Sequence, residues 1–141
     1  MVEMRHFNVK LIVDPAREML GVLHSIKQGL PWKERALRLL VDKSYRYMLF
    51  SNNFSRQDLM EILESLSSGN EPVDQRLRWL HKELLGYLNR LDDISIFLDE
   101  LENKKNEIVS EASEKARKCL PKLARIEADI YLVIGGSDAY G

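Results

Sequence analysis

The sequence predicts a mainly α-helical fold, a bundle of about five to six helices with a short strand near each end of the chain. Two features of the pattern carry that reading. Apolar residues recur every three or four positions over most of the 141 residues, and strand character is confined to two short runs, about 7–13 and about 129–134. A third feature, the Pro, Gly and Asp residues between the apolar stretches, marks where one element stops and the next begins.

The first run, Phe7 to Val13, places Phe7, Val9, Leu11 and Val13 on one side at period two, the signature of a half-buried strand. Asp14-Pro15 ends it and opens a helix, with Asp14 as the expected cap and Pro15 at the first helical position, where no amide hydrogen is needed. Met19, Leu20, Leu23 and Ile26 then follow at helical spacing, and Gly29 closes the helix. A second helix from near Pro31 offers Trp32, Ala36, Leu37, Leu39 and Leu40 as its inward face. A short helix over about 44–51 carries Tyr45, Met48 and Leu49. Ser55-Arg56-Gln57-Asp58 reads as a capping-box variant ahead of Leu59, Ile62, Leu63 and Leu66, and Gly69-Asn70 ends that helix. The stripe Val73, Leu77, Leu80, Leu84, Leu88, Leu91, continued by Ile94, Leu98, Leu101, Ile108, Ala112, Ala116 and Cys119, predicts two long helices that break at Asp92-Asp93. Glu100/Lys104, Glu111/Lys115 and Glu114/Lys118 lace the second of them at i,i+4. Pro121 stops it, and Asp129 to Ile134 forms a second strand closed by Gly135-Gly136. Its near-continuous apolarity suits a strand covered on both faces, yet two strands make a marginal sheet. Other chains must cover it, or the rest of the sheet lies beyond Gly141.

The length fits a single domain, 1–141, and 45% apolar with 30% charged residues is ordinary globular composition. With 21 Lys+Arg against 22 Asp+Glu, the net charge of −1 provides no field for nucleic acid or an anionic membrane. Neither is an expected partner. The first residues lack the apolar core of a secretory signal, and the longest strongly apolar run, Ile130 to Ile134, falls far short of the ~20 residues that span a bilayer. A cytoplasmic location is the default. Cys119, the one cysteine, excludes an internal disulfide and, lying on the apolar stripe, is expected to be buried as a small hydrophobe.

No constellation carries chemistry. His6, His24 and His81 are too scattered for a local metal motif, and His81-Lys82-Glu83-Leu84-Leu85 lacks the second histidine and the register of HExxH, so a solvated helix is expected there. Gly135-Gly136-Ser137-Asp138-Ala139 lacks the last glycine of a nucleophile elbow and reads as a plain turn. Asp92/Asp93 and Asp99/Glu100 fall in helix caps or on wet faces, with nothing to split their proton affinities. Trp32, Trp79, Tyr45, Tyr47 and Tyr87 are expected to pack in the core and helix seams. Arg76, Arg78, Lys82 and Arg90 are diluted by Asp74, Glu83 and Asp92. No catalytic, cofactor-binding or metal-ligating residue is assigned.

The order of features is more telling than any one of them. Phe7 to Asp14 running into a helix with Met19-Leu20, Tyr45 in a short helix, the Phe54-Ser55 helix start, the long helical pair, Cys119-Leu120-Pro121 and the strand Ile130 to Ile134 ending in Gly135-Gly136 resemble the N-terminal half of a family of zinc-dependent peptidases related to the HExxH gluzincins. The resemblance spans nearly the whole chain. It implies that the zinc-binding HExxH helix follows the glycine-ended strand, downstream of Gly141. On that resemblance zinc belongs to a full-length relative and no cofactor to this chain, which is expected to be the non-catalytic helical portion of a peptide-bond hydrolase. Its implied partner is the missing C-terminal catalytic half, or a second copy joined through exposed strand edges. The alternative is a self-contained interaction or oligomerisation module, in which the helices from Val73 to Cys119 present an apolar groove.

Overall fold

The computed structural model describes residues 6–119 and 125–134. Strand β1 (His6–Ile12) leads into seven helices and a 3-10 turn, and the chain returns as strand β2 (Arg125–Tyr131). The helices are α1 (Asp14–Gln28), α2 (Lys33–Leu40), α3 (Lys43–Ser51), α4 (Arg56–Ser68), α5 (Arg78–Leu88), α6 (Leu91–Asn103) and α7 (Lys105–Cys119), with the 3-10 turn at Gln75–Leu77. The mainly helical reading with a strand at each end is therefore observed. Among the described residues no helix is long and apolar enough to cross a membrane.

Helix α1 starts one residue earlier than the Asp14 cap predicts. Val13 already has helical dihedrals, and its carbonyl accepts from Ala16 N at 3.0 Å and Arg17 N at 3.2 Å, so Asp14 becomes the first helical residue and caps nothing with its side chain. It still sits at the positive end of the helix dipole. The Ser55 start is as expected: Asp58 N–H donates to Ser55 Oγ at 3.0 Å, and Ser55 N–H donates to Asp58 Oδ2 at 2.8 Å. Gly29 and Gly69 close α1 and α4 at φ 71° and 80°, the left-handed conformation that a side chain would strain.

The core runs between α1, α4, α5 and α6, with Ala16, Met19, Val22, Leu23, Ile62, Leu63, Leu80, Leu84 and Leu98 all buried. Each large aliphatic side chain there contributes about 1.5–3 kcal/mol by leaving water. The predicted pair of long helices is three. One break falls at Asn89-Arg90, which leaves Asp92 and Asp93 in the first turn of α6, and another falls at Lys104. The second break re-phases α7. Lys105, Val109, Ser113 and Ala116 become its half-buried face, whereas Ile108, Ala112 and Cys119 are exposed. Val73 is 88% exposed because it precedes the 3-10 turn and belongs to no helix. Leu37, expected on the inward face of α2, is also exposed. On α7, Glu114 pairs with Arg117 at 3.6 Å, three residues away rather than the four expected for Lys118.

The two strands are parallel, in register from His6 opposite Arg125 to Ile12 opposite Tyr131, and Leu132 N–H extends the ladder to Ile12 O at 3.0 Å. Helix α7 lies against β1. Strand β2 thus begins four residues before the predicted 129 and ends at Tyr131 instead of 134. Leu132, after its one bond to Ile12, and Val133 and Ile134 pack on the helical core, so their apolarity serves burial after the strand rather than a strand covered on both faces. Within β2, Ile130 remains 46% exposed. The expected stop at Pro121 and turn at Gly135–Ala139 lie outside the described residues.

Candidate functional site

Parallel pairing brings the carboxyl ends of β1 and β2 side by side, the place where open parallel sheets bind ligands. Here they open on a groove of about 630 Å³. Ile12 and Tyr131 form its strand end, Asp14 and Glu18 come from α1, Arg35 and Arg38 from α2, and Asp42 from the α2–α3 turn. The side chains are brought together by both strands, α1, α2 and the turn that follows α2.

Some of these charges are already committed. Arg35 Nε donates to Glu18 Oε2 at 3.1 Å, an exposed pair of small energetic weight. A Cβ on Gly21 would collide with the Arg35 guanidinium, so glycine at this position lets the guanidinium lie against the α1 backbone. Asp42 caps α3 by accepting from Ser44 N–H at 3.0 Å, and it also accepts from the Ser44 hydroxyl. Asp14, Arg38 and Tyr131 remain without an ion pair or hydrogen bond from their side chains among the described residues. The groove can therefore orient a polar ligand bearing both signs of charge. Its lining contains no histidine, cysteine or serine.

Tyr45 fixes the floor behind this groove. Its ring is completely buried, its hydroxyl donates to Pro15 O at 3.1 Å, and the same oxygen accepts from Ile134 N–H at 3.0 Å. One side chain thereby ties α3 to the first turn of α1 and to the segment leaving β2. Burial pushes its ionisation well above the ordinary phenol range, partly offset by the Ile134 amide, so the hydroxyl stays protonated and able to donate.

The sequence candidates fall elsewhere. His24 is half-buried on α1, and His81, expected on a solvated stretch, is buried on α5. Among the described residues, no group of three or more His, Cys, Asp and Glu side chains is placed to hold a metal ion. These residues therefore do not fit a catalytic zinc, which needs three protein ligands around an open position. Cys119, expected to be buried, is exposed because the face of α7 that meets β1 is set one position away. Trp32 and Tyr45 are core residues as expected, whereas Tyr47 is exposed and Trp79 stacks at the surface on Phe54 at 5.5 Å. Tyr87 is half-buried under Arg90, and that burial raises its ionisation. The basic residues are largely occupied: Arg76 donates to Asp58 Oδ2 and Asn53 O, each at 3.0 Å, and Arg78 donates to Pro72 O at 3.1 Å. Asp99 accepts from Arg17 at 2.9 Å, while Asp92 and Asp93 are exposed.

The groove residues escape a sequence reading because positions 14 to 131 meet only after the crossover. The one available signal is Asp14, at the carboxyl end of a strand that a parallel partner would complete. No curated protein and no solved structure matches the chain. The matching family model, described as "Putative zinc dependent peptidase (DUF5700)", covers residues 35–141, from within α2 through β2 and beyond. With most of its length inside that match, the chain belongs to the family so described.

Proposed function

We propose that this chain supplies the helical scaffold of a zinc-dependent peptidase, walling the substrate cleft, while the metal ligands and general base come from a segment other than the described residues. The observation that carries the reading is the parallel pair β1–β2, which among the described residues has a partner on one side of each strand only. Parallel sheets are found covered and with more strands than two. Ile130 on β2 is half exposed, and the carboxyl ends of both strands open on the mixed-charge groove. A further strand or helix laid beside β2 buries that face and sets its own residues against Asp14, Arg38 and Tyr131. In that arrangement Arg38 receives a carboxylate of the peptide and Asp14 an ammonium group, and the helices hold the cleft open.

Metal analysis of the purified chain, paired with a peptidase assay, tests this. The expected result is zinc well below one equivalent after dialysis and no peptide hydrolysis. Tightly held stoichiometric zinc, or hydrolysis that a chelator abolishes, overturns it. The second reading, an interaction module, rests on the exposed aromatic residues of α3.

A further inference from the structure

A second groove, of about 930 Å³, runs along α3 to the start of α4, on a face made by residues other than those of the strand-end groove. Its apolar part is unusual for a surface: Tyr47 is 74% exposed and Phe50 81%, with Val41 beside them. Its charged part has one sign. Lys43, Arg46 and Arg56 line it, no carboxylate does, and none of the three makes an ion pair among the described residues. Lys43 and Arg56 occupy the first positions of α3 and α4, where the helix dipole disfavours a cation. The local fold therefore adds to the positive field instead of offsetting it.

The same chain carries a counterpart. On α6, Asp92, Asp93, Ile96, Phe97 and Glu100 form one exposed stripe at helical spacing, with Ile96 57% and Phe97 54% exposed. The opposite side of α6 is occupied, with Leu91 and Leu98 in the core. The groove offers aromatic side chains ringed by cations, and the stripe offers apolar side chains ringed by carboxylates. We infer that the α6 stripe of one copy docks into the α3 groove of a second copy, with Ile96 and Phe97 against Tyr47 and Phe50. Carboxylates at 92, 93 and 100 then face Lys43, Arg46 and Arg56.

The contact is heterologous, since each copy presents two different surfaces, and it propagates head to tail. A single helix laid in a groove makes a small interface, so the association is weak and reversible. Its charge pairs lie at the rim, where salt screens them.

Sedimentation analysis of the full chain across a concentration series tests this. Wild type is expected to associate progressively, with the apparent dissociation constant rising roughly tenfold between about 50 mM and about 500 mM salt. The double variant Lys43→Glu/Arg46→Glu and the double variant Asp93→Lys/Glu100→Lys are each expected to be monomeric. Mixed one to one, they can pair the native stripe of one with the native groove of the other and the reversed groove with the reversed stripe, and association is expected to return. Phe50→Ser provides a neutral check and is expected to weaken association without changing charge, with circular dichroism confirming the fold of every variant. A wild type monomeric at all concentrations, assemblies indifferent to the reversals, or a mixture that stays monomeric overturns the inference. So does an oligonucleotide or an acidic peptide that binds through Arg46 while the chain remains monomeric.

Discussion

Replacing Tyr45 with Phe removes one oxygen and keeps the ring, so it isolates the two hydrogen bonds that tie α3 to α1 and to the segment after β2. The donor side loses the bond to Pro15 O at 3.1 Å, but that carbonyl lies inside α1, where the amide four residues on still reaches it. The acceptor side is more exposed to loss. Ile134 N–H donates to Tyr45 Oη at 3.0 Å, and Ile134 is half-buried, so water replaces the bond only in part. One bond given up with its partner still satisfied and one given up without a full substitute sum to about 1–3 kcal/mol of stability. Urea unfolding is the assay, with an unchanged slope confirming that the denatured state is the same. Hydrogen exchange at the Ile134 amide localises the effect and is expected to accelerate while amides within α4 and α5 hold. The difference from wild type also depends on pH. Because burial raises the Tyr45 ionisation in the folded chain, the stabilisation is complete below the ordinary phenol value near 10 and is lost as pH rises beyond it, by up to about 1.4 kcal/mol per unit. The Tyr45→Phe deficit is therefore expected to shrink above pH 10, roughly where the unfolded phenol ionises. A deficit under about 0.5 kcal/mol, or Ile134 exchange unchanged, refutes the role assigned to this hydroxyl.

Local geometry sets two further outcomes. Ser55→Ala removes half of the capping box and is expected to cost about 1 kcal/mol at neutral pH by thermal or urea unfolding. The Ser55 amide and the Arg76 guanidinium hold the Asp58 carboxyl below the usual carboxylate range, so its contribution is present above that range and fades as pH falls through the folded value; the deficit of an Asp58→Asn variant is expected to narrow in acid. Cys119, exposed at the end of α7, is expected to react stoichiometrically with a thiol reagent in the native chain as fast as in denaturant, and a protected thiol would show that the α7 face is set differently.

Much of the helical layer is legible in the sequence, because its determinants are local. The Gly29 and Gly69 ends, the Ser55–Asp58 box and the inward stripes of α1 and α4 each depend on residues within a turn or two of one another. Predictions fail where a local pattern is extended across a break. The stripe from Leu91 to Cys119 looks continuous, but the interruption at Lys104 rotates α7, and a rotation of one residue is enough to expose Ile108 and Cys119 and to turn Val109 inward. The terminal strand is misplaced for a related reason. Apolar residues at 132–134 record burial alone, and burial against helices looks the same in sequence as burial within a sheet.

The sequence by itself determined that the chain is mainly helical, where α4 begins and where α1 and α4 end, and that no HExxH motif stands within its 141 residues. Those properties follow from spacing and capping, which a linear chain displays directly. Tertiary structure alone decided that the two strands pair in parallel, that Tyr45 joins three segments through one hydroxyl, and which charges share a groove. Asp14, Arg38 and Tyr131 are separated by tens of residues, and only closing the crossover over the packed core makes them neighbours.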